Sequence, residues 1–290
     1  MSSPTEQAAA RLLHLLPRER ITRAIGKLTE ARVPRPLLDN VLSVYRKAYN
    51  VNMDEAVVPE GGFETFNQFF TRELKQGARP IDPREDVLVS PADGRFDDAG
   101  ALDLQTRFTI KNNPYDAASL LESDEDARAF AGGSFGIVYL SPRDYHRVHT
   151  PDALTVDRVR HIPGLLYPVN DFGVRHVPGL FARNERVVVF GTSPAFGRIA
   201  VVFVGAMVVG RIELVIDGPA RPPIGGPTAE RSLAPATQLA RGDELGAFLL
   251  GSTVVLLVQP PSDGMTHEWD ASLRGRSVRM GEALARRRRA

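Results

Sequence analysis

Cysteine is absent from the 290 residues of this chain. Its absence removes disulfides, thiolate zinc sites, iron–sulfur clusters and cysteine nucleophiles, so the chemistry must use oxygen or nitrogen nucleophiles or a cofactor. No apolar run reaches the ~20 residues that a spanning helix needs, and the N-terminus lacks the basic, apolar, small-residue order of a signal peptide. The chain is therefore expected to be cytoplasmic and soluble, or peripheral to a membrane. Phosphate-loop and dinucleotide fingerprints are also missing, since the glycines of residues 131–136 lack the required spacing. What is present is 43% hydrophobic and 24% charged residues, an ordinary globular balance that argues against disorder and coiled coil. The net charge of +1 is unevenly distributed. Residues 1–50 carry nine Lys/Arg against four acids, and residues 271–290 carry seven Arg against Glu282, so two basic ends flank an acidic body.

The N-terminal segment reads as short amphipathic helices. Ser3-Pro4-Thr5-Glu6 supplies an N-cap, a first-turn proline and a capping-box Glu ahead of Leu12, Leu13, Leu15 and Leu16. Ile21, Ala24, Ile25 and Leu28 follow at helical spacing with Arg20, Arg23 and Lys27 around them, and Leu37, Leu38, Val41, Leu42 and Tyr45 repeat the pattern after Pro36. Basic polar faces suit the interfacial plane of a membrane. The same pattern also fits a helical cap packed on the core.

From about residue 85 the texture becomes extended. Val87–Val89, Phe135–Leu140, Val187–Phe190, Ile199–Val209, Ile212–Ile216 and Thr253–Val258 are β-branched or aromatic runs bounded by turn formers. Helices are expected at Phe63, Phe66 and Phe70 running into Lys75, and over Asp116–Phe130. Strands separated by turns rather than by regular long helices predict an α+β fold, a mainly antiparallel, β-sandwich-like catalytic body behind N-terminal amphipathic helices. The division expected is residues 1–50 as a membrane-associating helical segment and residues 51–290 as the catalytic domain. Residues 222–227 read as a loop.

Three features carry possible chemistry. Tyr145-His146-Arg147-Val148-His149 pairs two histidines. A metal site is disfavoured there because Pro142 and Pro151 preclude a long helix and no carboxylate-rich partner follows. A histidine general base needs a hydroxyl within reach and a carboxylate to orient it. Ser90-Pro91-Ala92-Asp93-Gly94 holds Asp93 in a sharp turn at a strand end, either as that carboxylate or as an ordinary turn residue. Gly251-Ser252-Thr253 interrupts the apolar run 249–257. A serine buried there needs a partner, and Gly251 permits backbone conformations that other residues resist. A bulge glycine before a self-satisfied Ser-Thr pair is the commoner explanation of such a triplet taken alone.

Together these pieces form an ordered set. Phe69-Phe70-Thr71-Arg72-Glu73-Leu74-Lys75-Gln76-Gly77-Ala78-Arg79-Pro80, Ser90–Gly94, Tyr139–His149, Asn184-Glu185-Arg186, and Gly242-Asp243-Glu244-Leu245-Gly246 leading into Gly251-Ser252-Thr253 resemble the motifs of phosphatidylserine decarboxylase proenzymes, over about residues 60–285. The N-terminal helices match that family in kind rather than in sequence.

The resemblance implies self-cleavage between Gly251 and Ser252 into a β chain of residues 1–251 and an α chain of residues 252–290. Ser252 becomes a pyruvoyl group, the covalent cofactor. It implies an Asp93–His149–Ser252 triad for cleavage, with His149 as base and Asp93 orienting it, and His146 acting in decarboxylation by placing the carboxylate or protonating the carbanion. Schiff-base chemistry on phosphatidylserine would then give phosphatidylethanolamine and carbon dioxide. No metal is implied. The family also suggests a homodimer held as a peripheral protein on the cytoplasmic face of the inner membrane, in contact with anionic phospholipid. Three other readings remain open: a pyruvoyl decarboxylase of a soluble amino-acid-type substrate, an uncut Asp-His-Ser hydrolase, and a β-sandwich module that binds nucleic acid through its Arg-rich ends. The last is disfavoured by the acidic body and few aromatics. Arg286–Arg289 reads either as a lipid contact or as a solvated tail.

Overall fold

The β-branched runs become the centre of an eight-stranded antiparallel sheet. In the computed structural model, which describes residues 18–110, 113–206, 211–223, 225–249 and 252–289, its order is β11-β7-β8-β9-β13-β5-β2-β15. These strands are β2 (Gly94–Ala101), β5 (Ser134–Leu140), β7 (Leu154–Ile162), β8 (Arg186–Ser193), β9 (Gly197–Val204), β11 (Ala229–Leu239), β13 (Ser252–Val258) and β15 (Ser277–Val278). All seven residues of β13 are buried, flanked by Val255↔Ile137 on one side and Val255↔Val202 on the other. A strand buried on both faces has no polar side to alternate, which is why it reads as the uninterrupted run Val-Val-Leu-Leu-Val. Truncating any of Val254–Leu257 to Ala should cost ~2–5 kcal/mol.

Smaller sheets complete the β structure. Strands β10 (Ile212–Leu214), β12 (Glu244–Phe248) and β6 (Arg147–His149) form one, β1 (Val87–Val89), β16 (Ala283–Arg289) and β14 (Met265–Trp269) another, and β3 (Arg107–Ile110) pairs with β4 (Asn113–Asp116). The expected α+β, mainly antiparallel architecture is what the structure has.

The segment that follows residue 251 threads both larger sheets. It supplies β13 at the centre of one, β15 at its edge, and β14 and β16 beside β1. The arginine run is part of this framework and not a solvated tail, because remote acids neutralise it. Arg286 pairs with Asp86, Arg287 with Asp263 and Arg288 with Glu268, while the backbone of β16 pairs on both sides.

Two amphipathic helices precede the body, α1 (Arg18–Glu30) and α2 (Arg35–Tyr49); the leucine-rich stretch 3–16 lies outside the described residues. Pro36 sits in the first turn of α2, where its missing N–H costs nothing, and Asn50 closes the helix in the left-handed conformation at φ 52°. Leu38 and Leu42 bury against Phe63 and Phe69, whereas Leu37, Val41, Val44 and Tyr49 on the same helix are exposed, Val44 by 68%. The Tyr45 hydroxyl donates to the Pro142 carbonyl at 3.0 Å, tying α2 to the loop before His146.

The expected helix from Phe63 to Lys75 is confined to α3 (Phe66–Phe70). The chain leaves it because Leu74 bridges to Ala56, with the Lys75 amide donating to the Glu55 carbonyl at 2.8 Å. The helix expected over Asp116–Phe130 is two, α4 (Ala117–Leu121) and α5 (Asp124–Arg128), because Glu122 turns left-handed and Ser123 caps a new start. Two further short helices, α6 (Asp171–His176) and α7 (Leu180–Arg183), lie between β7 and β8. Among the described residues no helix is long and apolar enough to cross a membrane.

Candidate active site

The motifs singled out in the sequence meet at one end of the large sheet. Ser252 opens β13 opposite Leu140, the last residue of β5, and Gly94 opens β2 on the other side of β5. Ser252 and Gly94 are thus two strand spacings apart, roughly 10 Å along the sheet. Gly94 is required for that approach, since a Cβ there would lie 2.4 Å from the Tyr139 carbonyl oxygen. The His149 amide donates to the Pro91 carbonyl at 2.7 Å and the Thr150 amide to the Asp243 carbonyl at 2.8 Å, which draws Ser90–Gly94, β6 and the turn before β12 together. On the other flank Thr253 pairs with Val204 and Val204 with Arg186, and the Asn184 amide clamps the Gly205 carbonyl at 2.8 Å. Asn184-Glu185-Arg186 therefore shapes the sheet end: Arg186 spends its guanidinium on the carbonyls of Ser119, Leu120 and Asn184. Gly251 lies outside the described residues.

Asp93, 7% exposed, is held by Arg79 through Nε–Oδ1 at 2.8 Å and Nη2–Oδ2 at 2.5 Å, and by the Met280 amide at 2.9 Å. Arg79 also reaches Glu55 at 2.8 Å, and Arg279 closes the group on Glu55 at 3.3 Å. A carboxylate this enclosed stays acceptable because it is paired and hydrogen-bonded on both oxygens.

His149 makes neither of the bonds that a hydrogen-bonded triad would require. Its Nδ1 faces the Gly242 carbonyl at 2.8 Å and its Nε2 the Tyr145 hydroxyl at 3.1 Å, with the two rings stacked at 5.6 Å. A carbonyl only accepts, so Nδ1 carries the proton and Nε2 keeps its lone pair. Burial pushes the His149 pKa down, more than the Gly242 bond, Glu244 and Asp93 raise it. Asp93 thus acts on this ring through space, not through a hydrogen bond.

His146 is fully buried. Its Nδ1 faces the Asp144 carbonyl at 2.8 Å and its ring packs on Phe70 at 4.0 Å between centroids. Burial pushes its pKa down to about 3, with Arg72 adding to the shift, so the ring is neutral. Ser252, also fully buried, has an Oγ without a hydrogen-bond partner among the described residues; the same holds for His146 Nε2, Thr253 Oγ1, and Arg72 Nε and Nη1. The backbone brackets them: the Phe248 amide donates to the His146 carbonyl at 3.0 Å and Ser252 pairs with Leu140.

Sequence reasoning located Asp93, His146, His149 and Ser252 but missed their immediate partners. Tyr145, Arg72 and Arg79 lie within the quoted motifs and carried no assigned role. The Gly242 contact is made by a backbone carbonyl, which leaves no side-chain signal. Among the described residues no group of three His, Asp or Glu is placed to hold a metal ion.

The chain is similar to known proteins over most of its length. A family model described as phosphatidylserine decarboxylase matches residues 66–286. A phosphatidylserine decarboxylase proenzyme of Azotobacter vinelandii is 44% identical over 250 residues, covering 84% of this chain and 86% of that one. The proenzyme of Hahella chejuensis is 40% identical over 276 residues, with 94% and 91% covered, and that of Myxococcus xanthus is 39% identical over 280 residues, with 96% and 98% covered.

Proposed function

The chain belongs to the phosphatidylserine decarboxylase family, and from that premise we propose that it is a proenzyme that cuts itself between Gly251 and Ser252 and then converts phosphatidylserine to phosphatidylethanolamine and carbon dioxide. The observation that carries this reading is Ser252: a hydroxyl with no exposure and no partner among the described residues, at the first position of the central strand. Leaving a buried hydroxyl unbonded costs ~1–3 kcal/mol, a cost that a serine kept for reaction explains and a structural serine does not. The same burial counts against an uncut hydrolase, which needs its serine open to substrate.

The Ser252 hydroxyl attacks the Gly251 carbonyl carbon; the new C–O bond replaces the C–N bond, and the nitrogen leaves as the free amine of Ser252. Elimination across Cα and Cβ expels the Gly251 carboxylate, and water then releases ammonia, leaving a pyruvoyl group on residue 252. Serine needs a base for the first step. His149 Nε2 is that base, its tautomer fixed by the Gly242 carbonyl, and its bond to Tyr145 opens as it takes the proton. Asp93, fixed by Arg79, favours the imidazolium through space.

The pyruvoyl carbonyl supplies an acceptor for the substrate amine and for the electron pair left by carbon dioxide. The residues there are compatible with it: Ser252 pairs with Leu140 at the end of β5, and His146, packed on Phe70, has an Nε2 without a partner among the described residues. The neutral ring carries its proton on Nδ1, so Nε2 can take up the proton that the substrate ammonium must shed before its nitrogen attacks, and His146 then either places the departing carboxylate or returns that proton to the carbanion.

Substrate of this kind resides in a bilayer. We place residues 1–50 as the segment that docks there, with Leu37, Val41, Val44 and Tyr49 of α2 facing the lipid, ahead of the catalytic domain 51–290. The protein is then peripheral on the cytoplasmic face of the inner membrane and, by family resemblance, a homodimer. Intact mass under denaturing conditions tests the central claim. Two chains are expected, residues 1–251 and a pyruvoyl-bearing fragment of 39 residues, 252–290, and a single full-length species in active protein overturns it.

A further inference from the structure

Arg72 is 5% exposed and forms no salt bridge among the described residues, an expensive state for a guanidinium. Burial and Arg79 lower its pKa while Asp93, Tyr45 and Asp144 oppose the shift. It spends one nitrogen, Nη2, on the carbonyls of Arg143 at 3.1 Å and Asp144 at 3.4 Å, and its Nε and Nη1 have no partner among the described residues. The Asp144 carbonyl also receives His146 Nδ1, so guanidinium and imidazole converge on one oxygen with their remaining nitrogens unpartnered. Phe69 lies under the guanidinium at 5.6 Å and Phe70 under the imidazole. A buried cation with a pair of N–H donors unpartnered among the described residues, lying over an aromatic ring and sharing an acceptor with His146, is built for an oxyanion.

We propose that Arg72 binds the phosphodiester of the phospholipid headgroup through Nε and Nη1. The inference rests on the decarboxylase reading above and adds to it the residue that grips the lipid's phosphate. The substrate has two anionic groups, and reaction chemistry chooses between them. A guanidinium on the carboxylate would stabilise the ground state and lose its partner as neutral carbon dioxide forms, which opposes the reaction. The phosphodiester keeps its charge throughout, so binding it anchors substrate and transition state alike and appears in KM rather than kcat. The carboxylate is then left to the corner formed by His146 and the apolar Phe70. The unpartnered atoms are closed from solvent in the uncut chain, so binding the phosphodiester requires the site to open.

The product tests the assignment, because phosphatidylethanolamine keeps the phosphodiester and lacks the carboxylate. In detergent micelles of phosphatidylserine, Arg72→Gln should self-cleave, show kcat within a few-fold of the unsubstituted enzyme, and raise KM and the inhibition constant of phosphatidylethanolamine together, each by roughly 30-fold or more. Arg72→Lys, which keeps the charge but loses the fork, should fall between. A raised KM with an unchanged product inhibition constant assigns Arg72 to the carboxylate and overturns the proposal, as do unchanged values of both. Loss of self-cleavage in both variants makes Arg72 structural and overturns it too. If the unsubstituted chain cleaves but does not decarboxylate, the functional reading itself fails.

Discussion

The carboxylate of Asp93 is hydrogen-bonded to the guanidinium of Arg79, at 2.8 and 2.5 Å, and not to the imidazole of His149. Arg79 in turn is shared with Glu55, and Met280, from the segment proposed to become the short chain, closes on the same carboxylate. The acid proposed to assist cleavage is thus held from both sides of the proposed break, and its influence on His149 is electrostatic.

Arg79→Gln should therefore leave a buried carboxylate without its cation. Side-chain exposure at the pair is 8% and 10%, so water does not substitute. Removing one partner of such a pair costs ~3–5 kcal/mol. Urea unfolding of the uncut Ser252→Ala background, with and without Arg79→Gln, measures this directly; a loss below ~1 kcal/mol would mean that the pair is solvated in solution.

Ser252→Ala should abolish cleavage and cost almost nothing in stability. Its hydroxyl makes no bond among the described residues, so its removal relieves a desolvated polar atom without opening a large void. The expected unfolding free energy equals or exceeds that of a second uncut variant, His149→Ala, which loses the bonds to Gly242 and Tyr145. A clear destabilisation by Ser252→Ala would mean that the hydroxyl has a structural partner.

The sheet was legible where burial on both faces writes an uninterrupted apolar run, as in β13, β5 and β8. It was illegible where strands are held by charge. In β7, Arg158 and Arg160 belong to a strand because Asp126 and Glu230 neutralise them, and β16 is a run of arginines whose acids lie at 86, 263 and 268. Those acids are remote in sequence, and a local pattern cannot report them. The site divides the same way. Short motifs located Ser252, His149, His146 and Asp93, but the groups that set their protonation, the Gly242 carbonyl, the Tyr145 hydroxyl and Arg79, are fixed only by the way the strand ends meet.

Stability should fall as the solution is acidified, partly through His146. This ring titrates near 6.5 in the unfolded chain and at about 3 in the fold, so between these values the unfolded chain binds the extra proton. The contribution is complete above ~6.5 and is lost as pH drops toward 3, at up to about 1.4 kcal/mol per pH unit. Unfolding of the Ser252→Ala chain between pH 7 and 4.5, with and without His146→Gln, isolates it: the variant should show the shallower slope. Equal slopes would mean that His146 protonates normally in the fold. Because the His149 pKa is also lowered by burial, the self-cleavage rate should show its acid inflection below 6.5.

Two features compete as the lipid contact, the arginines of β16 and the apolar face of α2, and they differ in how they are partnered. Arg286 and Arg288 already have Asp86 and Glu268 as partners, so Arg286→Gln with Arg288→Gln should change binding to phosphatidylserine-containing vesicles by less than about twofold and stability by ~1 kcal/mol or less. The exposed apolar face of α2 has no such partner. Val41 and Val44 are 45% and 68% exposed, and inserting both into lipid is worth ~3 kcal/mol, or roughly 100-fold in affinity. Val41→Asp with Val44→Asp should remove that binding while leaving self-cleavage intact, since cleavage needs only the sheet end. Vesicle co-sedimentation read beside the denaturing gel distinguishes the outcomes. If the arginine variant releases the protein and the α2 variant does not, the short chain and not the N-terminal helices holds the membrane.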